Sequence, residues 1–493
     1  MASLLSWPDV LALLLLLTAM IAIGYAFGTR EQTTAGFFLA RRELPWWAAG
    51  LSFIATEVSA VTLISVPATA YMENWQYAQF FIGSTAARFV IAYLFIPAFY
   101  QYDCTTIYEF LKHRFGAATQ YTGTIFFFIT RLLGSGVRLM VACLAVSILL
   151  GWGVLPTILF FTVVSLAYII YGGIASVVWT GVLQAAVFIV AGLSAIAYLL
   201  LHIQGGWSGV MDVAGAAGKL DVWNWGPSLQ DPQFAKKFFT DPNIIWIAVL
   251  NGFFGSMAAF GTDHELMQRL LTVETRQKSQ RTMILTPIGS VFVLGIFLVI
   301  GACLYTYYAQ NPALSLPAKL DAIFPHFIGH VMPAGLRGLL LAAIVMASID
   351  SPLASLTASF VTDIYKPLIK KEAQDRHYLM ISRVCVGVFA VILAGIAYAF
   401  SFYQKFLWLA FKIGGVTFGS LLGVFLLGFL SRRRANRANI AAMVTMAVVN
   451  AVLLVLSEKK IFPIGWTWLI LIGTAGTMGL AVVLAPVLDK EKQ

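Results

Sequence analysis

A succession of apolar stretches, each long enough to cross a lipid bilayer, is the feature that most constrains how this chain can fold. Hydrophobic residues occupy 60% of its 493 positions and charged residues only 11%, whereas soluble domains carry about 25% charged residues. The stretches follow one another along nearly the whole length and leave no room for a separate soluble domain. We therefore predict an all-α integral membrane protein with a single transmembrane domain over residues 1–493.

About thirteen membrane-spanning helices are predicted from these stretches, by length and composition. Their approximate limits are 8–28, 46–72, 77–102, 119–150, 154–172, 175–202, 243–261, 283–308, 336–365, 378–401, 404–430, 438–457 and 463–487. Lys and Arg concentrate in alternate loops, for example at Arg41, Arg276 and Arg432. Because basic loops stay on the cytoplasmic side, this bias predicts an N-terminus outside and a C-terminus inside.

The span 46–72 carries polar residues through its middle, including Glu57, and Pro67 follows them. A carboxylate near the centre of a span costs about 3 kcal/mol and usually faces a partner or a water-filled cavity. We therefore predict that this span is interrupted, and interrupted membrane helices often line binding sites.

A second interruption is predicted in the span 243–261, because several glycines lie within it and charged residues follow its end. The glycines are Gly252, Gly255 and Gly261. Glycines also permit close helix packing, and that alternative stays open. Two broken spans five helices apart predict two inverted five-helix repeats, 46–202 and 243–430, with additional helices at 8–28 and 438–487.

Six ionisable residues fall inside predicted spans, where each must face another charge, water or a ligand. They are Glu57, Arg88, Arg131, Arg138, Asp350 and Lys412. Arg131 and Arg138 are seven residues apart, so they share one helix face. We interpret Glu57 as the counter-charge of Arg131 or Arg138. A purely structural network that binds nothing is the alternative, and Lys412 can also snorkel to the interface.

The span 336–365 carries an unusual number of side-chain oxygens. They belong to Ser348, Asp350, Ser351, Ser355, Thr357 and Ser359. Small hydroxyl residues often only let helices approach, but a carboxylate among them favours a cation site, since hard cations bind several oxygens. In 404–430, Gly415, Gly419 and Gly423 are interpreted as a helix-packing face.

Several sequence blocks, in order along nearly the whole chain, resemble the sodium:solute symporter family of sodium-coupled sugar, proline, sialic acid and iodide transporters. The blocks are FFLARRELPWWAAGLSFIATEVSAVTLISVPATAY (37–71), TTIYEFLKHRFG (105–116), YGGIASVVWTGVLQ (171–184), GTDHELMQRLLTVET (261–275) and TASFVTDIY (357–365). The resemblance implies a leucine-transporter-type fold with its first and sixth core helices broken. It also implies symport of sodium and a small organic solute by alternating access.

The resemblance implies a sodium ion bound between the spans 46–72 and 336–365. The ligands would be the backbone carbonyls of Ala55, Val58 and Ile344. The side chains at positions 347 and 348, here Ala347 and Ser348, would complete the site. Family members usually have hydroxyl residues at both of the last two positions, so Ala347 removes one ligand.

A second departure from the family pattern lies at Gly181, where members usually have an aspartate that helps to form a second sodium site or an exit station. This chain instead has Asp350 beside Ser351 in the span 336–365. We interpret this as a carboxylate that has moved between helices, which predicts a second cation site at Asp350 and Ser351.

The solute would lie at mid-membrane between the broken parts of the two interrupted spans. By similarity to sialic acid members, the polar contacts and apolar walls would come from Ser59, Thr62, Tyr77, Phe81, Arg138 and Phe254. Aromatic residues at such spacing more often pack in a core. Arg138 favours an anionic or hydroxyl-rich solute, such as a carboxylate or sugar acid, unless Glu57 pairs with it.

Other protein classes find little support in the sequence. The segment GAAGKLD (215–221) lacks the spacing of a nucleotide-binding loop, and His326 and His330 form no HExxH motif, so we expect no enzyme. No basic block suited to nucleic acid occurs. The expected partners are a small solute and the lipid bilayer, for a multi-pass monomer in the plasma membrane. A proton-coupled symporter stays the main alternative, since Glu57 and Asp350 can carry protons, and a channel is less favoured.

Overall fold

The computed structural model describes residues 5–28, 33–317, 319–349, 352–402, 406–433 and 435–489. These residues form a helical bundle, with an isolated parallel bridge between Leu44 and Val273. In chain order the main helices are α1 (Trp7–Gly28), α2 (Trp46–Glu57), α3 (Ala60–Met72), α4 (Phe80–Val90, extended by Ile91–Phe95 and Ile96–Gln101), α5 (Tyr108–Arg114), α6 (Ala117–Leu150), α7 (Val154–His202), α8 (Ile245–Ser256), α9 (His264–Leu271), α10 (Arg276–Gln310), α11 (Ile323–His330), α12 (Leu336–Ile349), α13 (Leu353–Ser359, extended by Phe360–Ile369), α14 (Asp375–Phe400), α15 (Phe406–Leu430), α16 (Arg437–Glu458) and α17 (Thr467–Leu488). The predicted all-α fold is confirmed for this part of the chain.

Ten of the described helices are long and apolar enough to cross a membrane, and the bent pair of α2 and α3 makes eleven. Two other predicted spans, 154–172 and 336–365, contain shorter apolar helices, Val154–Ala167 and Leu336–Ala347. The helices therefore fit a multi-pass membrane protein. The count of thirteen and the orientation of the termini stay predictions.

The predicted interruption of the span 46–72 is confirmed at Val58 and Ser59, where α2 and α3 meet at an angle of 55°. Val58 has φ −80° and ψ 81°, and Ser59 is extended, so neither residue is helical. The Ser59 N–H donates to the Glu57 carbonyl (3.1 Å) instead of the Ala55 carbonyl four residues back. Backbone carbonyls therefore leave the helical ladder at a buried point of the bundle.

The span 243–261 is interrupted later than its glycines predicted. After α8 the helix continues through a π-helical turn, Met257–Gly261, and it breaks only between that turn and α9. Gly252 serves close packing, because a Cβ at this position would lie 2.0 Å from the Phe80 carbonyl oxygen on α4. For Gly252 the alternative interpretation, tight helix packing, is therefore right.

The predicted spans 154–172 and 175–202 form one long helix, α7, that kinks at Gly173. This residue has φ 53° and ψ −154°, a conformation that glycine adopts without the strain of a side chain. A Cβ there would also lie 2.5 Å from the Phe37 carbonyl oxygen. The kink thus coincides with a close approach of the segment that precedes α2.

A buried carboxylate, Asp9, fastens α1 to the start of α12. It accepts hydrogen bonds from the backbone N–H groups of Gly335 (2.8 Å) and Gly338 (2.9 Å) and pairs with Arg337 (2.7 Å). N–H groups in the first turn of a helix lack partners within the helix, and the helix dipole favours a negative charge there. Asp9 therefore caps the helix that was predicted to carry sodium ligands.

The glycine face predicted in α15 packs on α17, as expected. A Cβ at Gly419 would lie 2.7 Å from the Ile470 carbonyl oxygen, and one at Gly423 would lie 2.8 Å from the Thr474 carbonyl oxygen. The two helices therefore touch backbone to backbone, which is the arrangement that small residues permit in membranes.

Candidate functional site

A cavity of about 280 Å³ lies at the break between α2 and α3 and is enclosed mainly by α4, α6, α8 and α15. Its wall combines hydroxyl and amide groups with aromatic rings. The polar lining residues are Ser59, Thr62, Ser84, Thr130, Asn251, Ser256 and Ser290, and the aromatic ones are Tyr77, Phe80, Phe81, Phe260, Phe418 and Trp466. This volume is at the small end of pockets for organic ligands, so the cavity suits a compact solute with several hydrogen-bonding groups.

Most of the residues predicted to contact solute do line this cavity. They are Ser59, Thr62, Tyr77, Phe81 and Arg138. Phe254 does not: its neighbours Gly255 and Ser256 line the cavity, while its own ring packs on Phe253 with centroids 5.3 Å apart. Phe254 is therefore not among the residues that line this cavity, and its contact with solute stays a prediction.

Glu57 pairs with Arg88 on α4, so the predicted pairing of Glu57 with Arg131 or Arg138 is wrong. Glu57 Oε1 lies 2.5 Å from Arg88 Nη2, and Oε2 accepts a hydrogen bond from Ser290 on α10 (2.5 Å). The Arg88 side chain is only 1% exposed. The carboxylate at the helix break is thus neutralised by a neighbouring helix, as the burial of a charge requires.

Arg131 lines the cavity and contacts two carboxylates, Asp263 and Glu265, at the start of α9. Arg131 Nε also donates to Asp263 Oδ2 over 3.1 Å. All three side chains are at most 6% exposed. We call Arg131, Asp263 and Glu265 the ion triad; it joins α6 to α9 beside the cavity.

The predicted span ends at residue 261, just before Asp263 and Glu265, so the sequence predicts no charge partner for either carboxylate. A signal was present nonetheless. Two acidic residues follow an apolar span directly and precede a helical apolar pattern, which is the pattern of a helix N-terminus. In the structure Asp263 is the N-cap of α9, and its side chain accepts from the Glu265 N–H over 2.9 Å.

Arg138 lies between the central cavity and a second cavity of about 40 Å³, and it lines both. Its Nη1 is 3.5 Å from the Thr56 carbonyl oxygen at the end of α2. Ser135 and Ser165 also line the second cavity, together with Ala347 of α12. The smaller cavity therefore connects the two elements that were predicted to hold sodium.

The predicted sodium ligands that the structure describes are all buried. Ala55 is 2% exposed, Val58 3%, Ile344 1% and Ala347 6%. The Ser348 side chain, and the whole of Asp350 and Ser351, lie outside the described residues. Backbone oxygens at the break and the adjacent α12 suit a cation that prefers oxygen ligands.

Gly181 on α7 packs directly on α2. A Cβ at this position would lie 2.5 Å from Ser52 Oγ and 2.9 Å from Ser52 Cα. Ser52 Oγ in turn accepts a hydrogen bond from Arg269 Nε over 3.1 Å. An aspartate at 181 would therefore not fit this arrangement without a shift of α2, so the departure from the family pattern belongs to the helix packing.

Lys412 pairs with Glu458 over 2.6 Å near the start of the described part of α15, with side chains 27% and 56% exposed. An ion pair this exposed contributes little to stability. Among the ionisable residues predicted inside spans, Lys412 is therefore a surface charge, in keeping with the snorkelling alternative.

Comparison with known proteins gives a family and relatives. The chain matches the sodium:solute symporter family over residues 37–447. It is 29% identical over 457 residues to the sodium/sialic acid symporter NanT of Aliivibrio fischeri, and the aligned region covers 89% of this chain and 86% of that one. It is 27% identical over 430 residues to human sodium-coupled monocarboxylate transporter 1, and the aligned region covers 85% of this chain and 68% of that one.

Solved structures share the fold. The substrate-bound, outward-open state of a Na+-coupled sialic acid symporter superposes with a TM-score of 0.85 at 24% identity, covering 98% of both chains. A closed nucleobase-cation-symport-1 family transporter with bound bromovinylhydantoin gives a TM-score of 0.53 at 13% identity, covering 92% of this chain and 94% of that one. This chain therefore belongs to the sodium:solute symporter family and is a sodium-coupled membrane transporter, not an enzyme.

Proposed function

We propose that this protein carries a small organic anion across the plasma membrane together with sodium. The observation that carries the proposal is Arg138 in the wall of a buried cavity rich in hydroxyl groups. Glu57, the acidic residue in the same wall, is paired with Arg88 on α4. Guanidinium groups bind carboxylates through paired hydrogen bonds, so an acid is the favoured solute.

Two groups of relatives support the same class of solute. The A. fischeri relative is a sialic acid symporter and the human one a monocarboxylate transporter. Both kinds of solute carry a carboxylate, although they differ in size and in the number of hydroxyl groups. We infer that Arg138 meets the carboxylate, while Ser59 and Thr62 at the start of α3 meet other polar groups of the solute.

Transport would proceed by alternating access between two inverted repeats, 46–202 and 243–430. Sodium would bind at the break between α2 and α3 against α12, next to the solute cavity, so that ion and solute stabilise the same arrangement. Release of the solute on the other side of the membrane would require Arg131 to separate from Asp263 and Glu265. The protein is proposed to work as a monomer in this cycle.

Uptake by purified protein in proteoliposomes tests the proposal. Labelled sialic acid or a short monocarboxylate should accumulate under an inward sodium gradient, because downhill sodium entry drives the coupled solute. The same solutes should not accumulate under an inward proton gradient in sodium-free buffer. A neutral sugar and a zwitterionic amino acid serve as controls. Accumulation driven by protons alone would favour the proton-coupled alternative, and accumulation of only the neutral sugar would overturn the organic-anion assignment.

Asp350→Asn tests the proposed second cation site at Asp350 and Ser351. Removing a carboxylate ligand should raise the half-saturating sodium concentration by about tenfold or lower the number of sodium ions per solute. Both quantities come from uptake measured against external sodium, with Asp375→Asn at the exposed start of α14 as a charge-matched control. Unchanged sodium affinity and stoichiometry would remove Asp350 from the cation site.

A further inference from the structure

Asp363, in the π-helical extension of α13, differs from the other buried carboxylates of the described chain. Asp9 contacts Arg337, Glu57 contacts Arg88, and the ion triad contains an arginine. Asp363 is fully buried, yet the described residues provide no cationic side chain within ion-pair distance of it. A buried carboxylate without a positive partner is costly, so its charge requires another source of compensation.

Neutral oxygen- and nitrogen-bearing side chains surround Asp363 instead. Oδ1 accepts from Thr106 Oγ1 (2.6 Å) and Gln120 Nε2 (2.9 Å), and Oδ2 accepts from Thr124 Oγ1 (3.1 Å). A second carboxylate, Glu109, accepts from the backbone N–H of Thr106 (3.1 Å). The three donors thus present their hydrogens to Asp363, while Glu109 adds a second negative charge beside them, and negative charge attracts a hard cation.

A row of buried oxygens leads to Asp363 along α13. Ser355, Ser359 and Asp363 are spaced four residues apart, which places them on nearly one face of the helix. Their exposed fractions are 1%, 0% and 0%. Ser359 Oγ has no hydrogen-bond partner among the described residues. An unpartnered hydroxyl in a dry interior is unfavourable, and a cation that passes along this face would be stabilised by it.

We propose that Asp363, Thr106 and Thr124 form a cation site that sodium occupies on its way out of the protein. The hydroxyl groups of the two threonines can rotate so that their lone pairs face the ion, and the Gln120 amide can present its oxygen. The site lies on the continuation of the helix whose first half, α12, bears the proposed sodium ligands. This inference rests on the proposed function and on the predicted topology, in which this end of the bundle faces the cytoplasm.

The test compares external with internal sodium in right-side-out membrane vesicles that contain the full-length protein. Asp363→Asn should raise the internal sodium concentration that half-inhibits uptake by on the order of tenfold. It should change the half-saturating external sodium concentration by less than about twofold, because ion entry uses the other site. Thr124→Val, which removes one proposed ligand and keeps the carboxylate, should shift internal inhibition in the same direction by a smaller factor.

Asp375→Asn controls for surface charge at the same end of the bundle, and thermal stability of each variant controls for folding. If Asp363→Asn does not fold, Thr124→Val alone decides the question. Sodium-driven uptake with unchanged internal inhibition in the folded variants would overturn the site. A response to internal pH with no response to internal sodium would also overturn it, in favour of protonation. Failure of the wild-type protein to respond to external sodium would instead refute the proposed function.

Discussion

Arg131→Gln is expected to lower the melting temperature sharply or to prevent recovery of folded protein. The substitution leaves Asp263 and Glu265 without the arginine that contacts both, and both carboxylates are buried. Removing one partner of a buried ion pair costs about 3–5 kcal/mol, a large part of the usual net stability of about 5–15 kcal/mol. Thermal unfolding of purified protein in detergent, followed by tryptophan fluorescence, measures the effect.

An exposed ion pair provides the matched control. Lys278 contacts Glu274 on the surface, with side chains 50% and 62% exposed. Lys278→Gln also removes one positive charge, but it should cost less than about 1 kcal/mol, because water screens such pairs. A melting temperature for Arg131→Gln within about 1 °C of the wild type would contradict the argument, since that shift corresponds to about 1 kcal/mol for a chain of this length.

A variant in which all three side chains of the ion triad are neutral separates the contribution of charge to stability from that of packing. Combining Arg131→Gln with Asp263→Asn and Glu265→Gln removes the unpaired charges and keeps hydrogen-bonding side chains of similar size. The combined variant should regain much of the stability, since replacing all partners costs far less than stranding some of them. Continued instability of this variant would show that packing at the triad, and not its charge, holds α6 to α9.

The interruption of the span 46–72 could be predicted from the sequence because its cause is local. Glu57 is a charge in an apolar helix, and such a charge predicts a break or a partner from the cost of burial alone. Its actual partners, Arg88 and Ser290, lie on two other helices, 31 and 233 residues away in the chain. Which arginine meets which carboxylate depends on the rotation of each helix, and one sequence does not specify that rotation.

The glycines of the span 243–261 illustrate the same limit. Gly252 and Gly255 are equivalent in sequence, yet a Cβ at Gly252 would collide with the α4 backbone, whereas Gly255 lines the cavity and has only a side-chain oxygen 3.8 Å away. Both glycines line the cavity, but only at Gly252 does the close approach of another helix exclude a larger side chain. Only the positions of neighbouring helices distinguish these roles, so composition predicted a special helix but not the location of its break.

The absence of an aspartate at position 181 has a similar explanation. The sequence shows a departure from the family pattern, and it suggests that the carboxylate has moved to Asp350. The structure adds that Gly181 contacts Ser52 of α2 so closely that a longer side chain would displace that helix. Since α2 ends at the helix break, its position also affects the carbonyls of Ala55 and Val58, the proposed sodium ligands.

Arg138→Gln is expected to raise the half-saturating concentration of an acidic solute by about 10- to 150-fold. The estimate follows from about 1.5–3 kcal/mol for a hydrogen bond to a charged group, converted at 1.4 kcal/mol per factor of ten. Arg138→Lys keeps the charge but loses the planar guanidinium group that donates paired hydrogen bonds, so a smaller loss of affinity should follow. Uptake in proteoliposomes against solute concentration, at saturating sodium, measures both variants.

A neutral ester of the same solute tests whether Arg138 acts through charge. The wild-type protein should take up the ester poorly, and Arg138→Gln should transport acid and ester with nearly equal affinity, because the group that distinguishes them is gone. Lys412→Gln removes a positive charge at the surface pair with Glu458, and it should leave the preference intact. If the wild-type protein did not discriminate between acid and ester, solute recognition would rest on the hydroxyl and aromatic wall instead of on Arg138.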